Sequence, residues 1–159
     1  GEKRPKSCAG AWAATRTACC TGGFVEMNTS VTIINLIHDT ATDKDTPVCW
    51  VFNNATWRET YGTSGNGTVK DPAKTVHVRI MARNGVPPYM PAWAWYQLPA
   101  DVKQKAWTLK SGWMIVKGAI SSMTIEQYNR LKKSADCTMI TSWADNREQF
   151  LPHWHIYGG

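Results

Sequence analysis

The sequence predicts a mainly β fold, an antiparallel β-sandwich or jelly-roll-like domain with one or two short helices. Three observations carry that expectation. Residues Lys74 to Arg83 alternate, with Val76, Val78 and Ile80 facing one way and Thr75, His77 and Arg79 the other, as in a half-buried antiparallel strand. Val31-Thr32-Ile33-Ile34-Asn35-Leu36-Ile37 is β-branched and nearly uninterrupted, as a strand buried on both faces requires. Turn-forming residues such as Asn84-Gly85 punctuate the intervals between these runs.

In chain order, residues 1–7 are polar and basic and read as a flexible arm ahead of one β-rich domain spanning 8–159. Ala9–Ala18 has high helix propensity and is closed by Thr21-Gly22-Gly23. After the strand at 31–37, the polar stretch Asp39 to Pro47 is a turn region, and Val48-Cys49-Trp50-Val51-Phe52 a second strand ended by Asn53-Asn54. Trp57 to Tyr61 continues the sheet as far as the loop 62–67. Val86 to Pro99 holds four prolines, which favours a long ordered loop. Trp113 to Ile120, Cys137–Trp143 and Phe150–Tyr157 return to strand. Thr124-Ile125-Glu126-Gln127 has the spacing of a capping box, followed by Tyr128 and Leu131 on the same helical face as Ile125.

Eighteen Lys and Arg against twelve Asp and Glu leave a net charge of +6. That excess favours anionic partners, but the basic residues are scattered and make no backbone-tracking groove, so nucleic acid is disfavoured. No apolar run is long enough for a membrane-spanning helix. Nine tryptophans exceed what the core of a small domain needs, so some are expected at a binding surface.

Five cysteines, Cys8, Cys19, Cys20, Cys49 and Cys137, give an expectation of two disulfides and one free thiol. Three N-x-[ST] triplets at Asn28, Asn54 and Asn66 add a glycosylation signal, and the two together point to an extracellular, secreted protein. The opening Gly1-Glu2-Lys3-Arg4 lacks an initiator Met and a leader, which reads as a processed chain.

The constellation that best supports a function is Trp93-Ala94-Trp95-Tyr96, with Trp107 and Trp113 downstream. In an extended, proline-stiffened segment Trp93 and Trp95 share a side, an arrangement suited to sugar rings or lipid headgroups. Lys103, Lys105 and Lys110 favour an anionic or zwitterionic ligand. The expected function is a secreted, non-enzymatic recognition domain of lectin, toxin or effector type, taking a glycan or a membrane-surface headgroup through these eight residues. A self-assembling viral coat or surface subunit, with self-association through an aromatic interface, is a further reading.

The rival class is enzymatic. Ser7-Cys8-Ala9-Gly10-Ala11-Trp12 precedes a helix, and His153 opens a strand ending in Ile156-Tyr157-Gly158. These two segments resemble the nucleophile and histidine segments of NlpC-type and other papain-like hydrolases. The resemblance implies a cysteine hydrolase using Cys8 and His153, with the thiolate held by the imidazole. Other catalytic signatures are absent: no G-x-S-x-G, H-E-x-x-H, P-loop or G-x-G-x-x-G occurs. His153 and His155 share a strand face, with His77 on another strand, but no ligand spacing completes a metal site; no metal or cofactor is assigned.

Overall fold

The computed structural model describes residues 23–64 and 71–159. Six antiparallel strands close into one barrel: β1 (Gly23–Asp39), β2 (Lys44–Ser64), β3 (Asp71–Met81), β4 (Met114–Lys117), β5 (Cys137–Asp145) and β6 (His153–Gly158). Their order around the wall is β1-β2-β3-β6-β5-β4. Three short helices, α1 (Ala92–Trp95), α2 (Ala100–Lys103) and α3 (Ile125–Leu131), lie in the connections. The fold is therefore mainly β and antiparallel with few short helices, as expected, but it is a closed barrel rather than a sandwich or jelly roll.

The reason lies in the β1–β2 hairpin. It is far longer than expected, and its register shifts between Glu26 and Thr29 and again between Thr29 and Val31. Asn53-Asn54 do not end a strand; they sit at this irregularity inside β2. Bulges bend a strand and increase its twist. Before the bend β2 pairs only with β1; beyond it, residues 55–64 also pair with β3, while Val31–Ile34 of β1 pair with β4. With β6 bridging β3 and β5, no edge is left to cap.

The alternation read at Val76, Val78 and Ile80 is what the barrel uses. These side chains join Val31, Ile33, Phe52, Trp57, Ile115, Ile140, Trp154 and Ile156 in the interior. The apolar run at 31–37 also has its cause: Ile33 faces the interior, whereas Ile34 lies outside with Met114 and Val116 beneath Tyr128 of α3. The capping box is present, with Thr124 Oγ1 accepting from Gln127 N at 3.2 Å and the Gln127 amide oxygen accepting from Thr124 N at 2.8 Å.

One mouth of the barrel is filled by the connection from β3 to β4. Gly85, at φ 90°, turns the chain back, and Trp107 is driven among Phe52, Tyr89 and Trp154, each ring centroid within 5 Å of its own except that Trp154 also meets Tyr89 at 5.4 Å. Asn35 of β1 fastens this plug: its amide donates to Thr108 O at 2.8 Å and accepts from Thr108 N at 3.1 Å.

Toward the far end of β2, Glu59 accepts from Trp57 Nε1 at 2.8 Å and Tyr61 OH at 2.7 Å, and pairs with Lys74 at 3.0 Å. Burial raises its pKa, but the three hydrogen bonds and the ammonium together outweigh that and hold it down at about 2.

Among the described residues no disulfide forms: Cys49 and Cys137 are free thiols, half-buried in the cluster under α3, and are not bonded to each other. Cys8, Cys19, Cys20, the arm at 1–7, the helix expected at 9–18 and Asn66 lie outside the described residues.

Two stability predictions follow from the closure of the wall. A Cβ on Gly158 would meet Thr138 Cγ2 at 2.5 Å and Oγ1 at 2.8 Å, and Thr138 is itself buried and β-branched. Gly158→Ala should therefore cost about 1–3 kcal/mol in urea denaturation. The depressed Glu59 pKa implies a contribution to stability present above its ordinary value of 4.5 and lost as pH falls toward about 2. Acid unfolding curves of Glu59→Gln should show a weaker slope across that window than those of the native chain.

Candidate functional site

The proline-rich loop is helical where its aromatics lie, which separates them. Pro91 and Pro99 each stand immediately before a four-residue helix, where a fixed φ near the helical value starts a turn without needing an N–H. Trp95 N donates to Pro91 O at 2.9 Å. With a period of about 3.6 rather than 2, Trp93 and Trp95 do not share a side. Trp93 is 72% exposed and Trp95 only 1%. The paired indole platform expected from an extended segment is thus not formed.

What the fold builds instead is a cleft of about 210 Å³ between this segment and the β1–β2 hairpin. Five of the eight expected binding residues line it: Trp95, Tyr96, Lys103, Lys110 and Trp113. Trp95 and Trp113 form its floor, their rings 5.5 Å apart and edge to face, and Trp95 Nε1 is spent on Ala106 O at 2.9 Å. Ile37 and Ala106 pack against them, so both indoles are core in character. Tyr96, 44% exposed, stands at the rim.

The two lysines are placed by the rings. Lys103 Nζ lies 5.1 Å from the Trp95 centroid and 5.9 Å from that of Tyr96; Lys110 Nζ lies 5.2 Å from Tyr96 and 5.5 Å from Trp113. Cation–π attraction orients such an ammonium without consuming its N–H donors. The cleft also contains His38 and Asp45, paired across the hairpin at 3.0 Å. Two ammonium groups face one carboxylate, and that carboxylate is engaged by His38. Leu36, His38 and Asp45 were missed in the sequence because only the hairpin register carries them to α1 and Lys110.

The other three expected residues lie elsewhere. Trp107 is the barrel plug and meets no solvent. Lys105 and Trp93 are exposed without lining the cleft. Three places apart on one helical turn, Trp93 and Tyr96 lie on neighbouring faces. Of the three glycosylation triplets, Asn54 is exposed at the irregularity in β2, and Asn28 falls within β1.

His153 is occupied on both sides of its ring. Nδ1 lies 2.7 Å from Leu151 O, and Nε2 lies 3.2 Å from the Asn146 amide. With Nδ1–H donating to the carbonyl, Nε2 accepts from Asn146 and no ring nitrogen is left to hold a thiolate. Cys8 lies outside the described residues, and burial pushes the thiols of Cys49 and Cys137 above their ordinary value. Among the described residues no three His, Cys, Asp or Glu side chains converge as metal ligands.

Residues 26–159 match the family of unknown function DUF6751, which covers the barrel, the plug and the cleft. The chain belongs to that family. No curated protein and no solved structure matches this DUF6751 chain.

The two helical indoles give a direct contrast. Trp95→Ala should destabilise by about 3–5 kcal/mol, whereas Trp93→Ala should stay within about 0.5 kcal/mol of the parent in thermal or denaturant unfolding.

Proposed function

We propose that this DUF6751 chain is a non-enzymatic recognition domain whose Lys103–Lys110 cleft takes the anionic headgroup of a lipid at a membrane surface outside the cell. One observation carries the reading: two ammonium groups are held over aromatic rings at a single cleft whose rim, at Tyr96, is exposed. Indoles and phenols are favoured in the headgroup layer, where one part of the ring system is apolar and the other wet. Within the cleft a stacked sugar ring would need an open indole face, and the two indoles there, Trp95 and Trp113, are buried. Headgroup capture needs only the ammonium donors and the exposed rim. Since cation–π contacts already restrain the lysines, little side-chain freedom remains to be lost on binding.

A second reading, self-association, is favoured by the β5–β6 hairpin tip. Phe150 there is 98% exposed and Leu151 is its neighbour in solvent, an unusual cost unless something covers them.

Cosedimentation of the full chain with vesicles tests the first reading. Phosphatidylcholine vesicles carrying phosphatidylserine should bind it, and phosphatidylcholine alone should bind it less. At about 1 kcal/mol per basic residue near an anionic surface, Lys103→Ala with Lys110→Ala should weaken binding roughly tenfold to thirtyfold. Equal pelleting of the double variant, or no pelleting of the parent, overturns the proposal; retention on an acidic glycan without vesicle binding assigns the cleft to glycan instead.

A further inference from the structure

We propose that the outer wall of the barrel carries a second site, independent of the lysine cleft, in which Arg58, His77, Arg79 and His155 bind a phosphate or sulfate oxyanion. The strand register assembles it. Thr56 of β2 lies opposite Arg79 of β3, which lies opposite His155 of β6; on the next rung Arg58, His77 and Tyr157 are likewise in line. All six alternate outward, away from the interior residues Trp57, Val78 and Ile156. Thr56, Arg58, His77, Arg79 and His155 together line one cleft of about 200 Å³.

Its chemistry is one-sided. Two guanidinium groups, two imidazoles and a hydroxyl line it, and no carboxylate does. Among the described residues neither Arg58 nor Arg79 has an ion-pair partner. On the flanking strand β5 the partners of His155 and Tyr157 are Ala144 and Ser142, neither of which contributes a charge. On β6 itself His153 stands 6.3 Å from His155, ring to ring, but both its nitrogens are engaged, by Leu151 O and the Asn146 amide, and it does not line the cleft.

The imidazoles are fixed in place. His155 stacks on Tyr157 at 4.4 Å, and His77 meets His155 at 5.7 Å and Tyr157 at 5.1 Å. Tyr157 OH lies 3.3 Å from His155 Nδ1, while Nε2 of the same ring is buried and has no hydrogen-bond partner. Buried polar groups are nearly always satisfied, and this orphan stands beside two arginines that have no ion-pair partner among the described residues. Burial first, then the charges of Arg79, His77 and His153, hold the His155 pKa down at about 4. An oxyanion reverses that balance, because it favours the imidazolium and supplies acceptors for the guanidinium donors. Arginine pairs suit tetrahedral oxyanions through their planar, bidentate forks.

The test is a titration of inorganic phosphate into the full chain near pH 6 at constant ionic strength, followed by NMR of the imidazole resonances. We expect saturable shifts at His155 and His77, competition by sulfate, no such shift with chloride, and a His155 pKa that rises when phosphate is bound. Arg58→Gln and Arg79→Gln should each weaken phosphate binding about tenfold without changing the melting temperature, while Lys103→Ala leaves it intact. Arg79→Gln should also raise the His155 pKa without any ligand. A phosphate monoester that binds more tightly than inorganic phosphate assigns the site to phosphorylated ligands, and equal binding to the free oxyanion. Absence of a saturable shift, or unchanged affinity in the Arg58→Gln, Arg79→Gln double variant, overturns the proposal.

Discussion

A single buried amide decides what this barrel contains. Asn35 lies on the inner face of β1, where every neighbour of the same parity is apolar, and its side chain pairs with both backbone groups of Thr108. That exchange imitates one rung of a strand ladder, and it satisfies a segment that enters the barrel without joining the sheet. Without it, a buried N–H and a buried C=O would each be left at a cost of about 1–3 kcal/mol. The neighbouring Trp107 is satisfied separately, by Pro88 O for its backbone and Pro87 O for its indole. The plug thus brings a large aromatic side chain into the interior with its polar atoms paired.

The tryptophan content follows from that arrangement. Trp57, Trp107 and Trp154 are packed with the aliphatic side chains of the barrel interior. Trp95 and Trp113 then seal the place where the plug segment leaves the barrel, around Ile37 and Ala106. Among the described residues only Trp93 is broadly exposed. Most of the aromatic excess is therefore architectural, and the lysine cleft uses core indoles as a floor that orients charge rather than as a stacking surface.

Closure also gives the barrel wall two different outer faces. The face formed by β1 and β4 is apolar and covered by α3, with Tyr128 over Ile34, Met114 and Val116. The face formed by β2, β3 and β6 carries arginine and histidine. Both faces come from the same strict alternation, since an inward apolar residue at each second position leaves the intervening positions free to differ around the circumference.

Local pattern alone determined the elements whose signal lies within a few residues. The alternation at 74–83, the doubly apolar run at 31–37 and the capping box at Thr124 are each complete within one strand or one helical turn. The aromatic and lysine residues of the cleft were also legible by type, though two of the indoles lie in its floor and Trp107 lies elsewhere. Tertiary structure decided the rest. Whether antiparallel strands make a sandwich or a barrel depends on a bulge and on which strands meet at the seam, and neither is a property of any single strand. Proline-rich residues 86–99 admit both extended and helix-starting conformations, and burial of Trp95 selected the helix. The arginine–histidine wall was hidden for the same reason: Arg58, Arg79 and His155 are isolated polar residues in three separate alternations, and only the register of three strands places them on one surface.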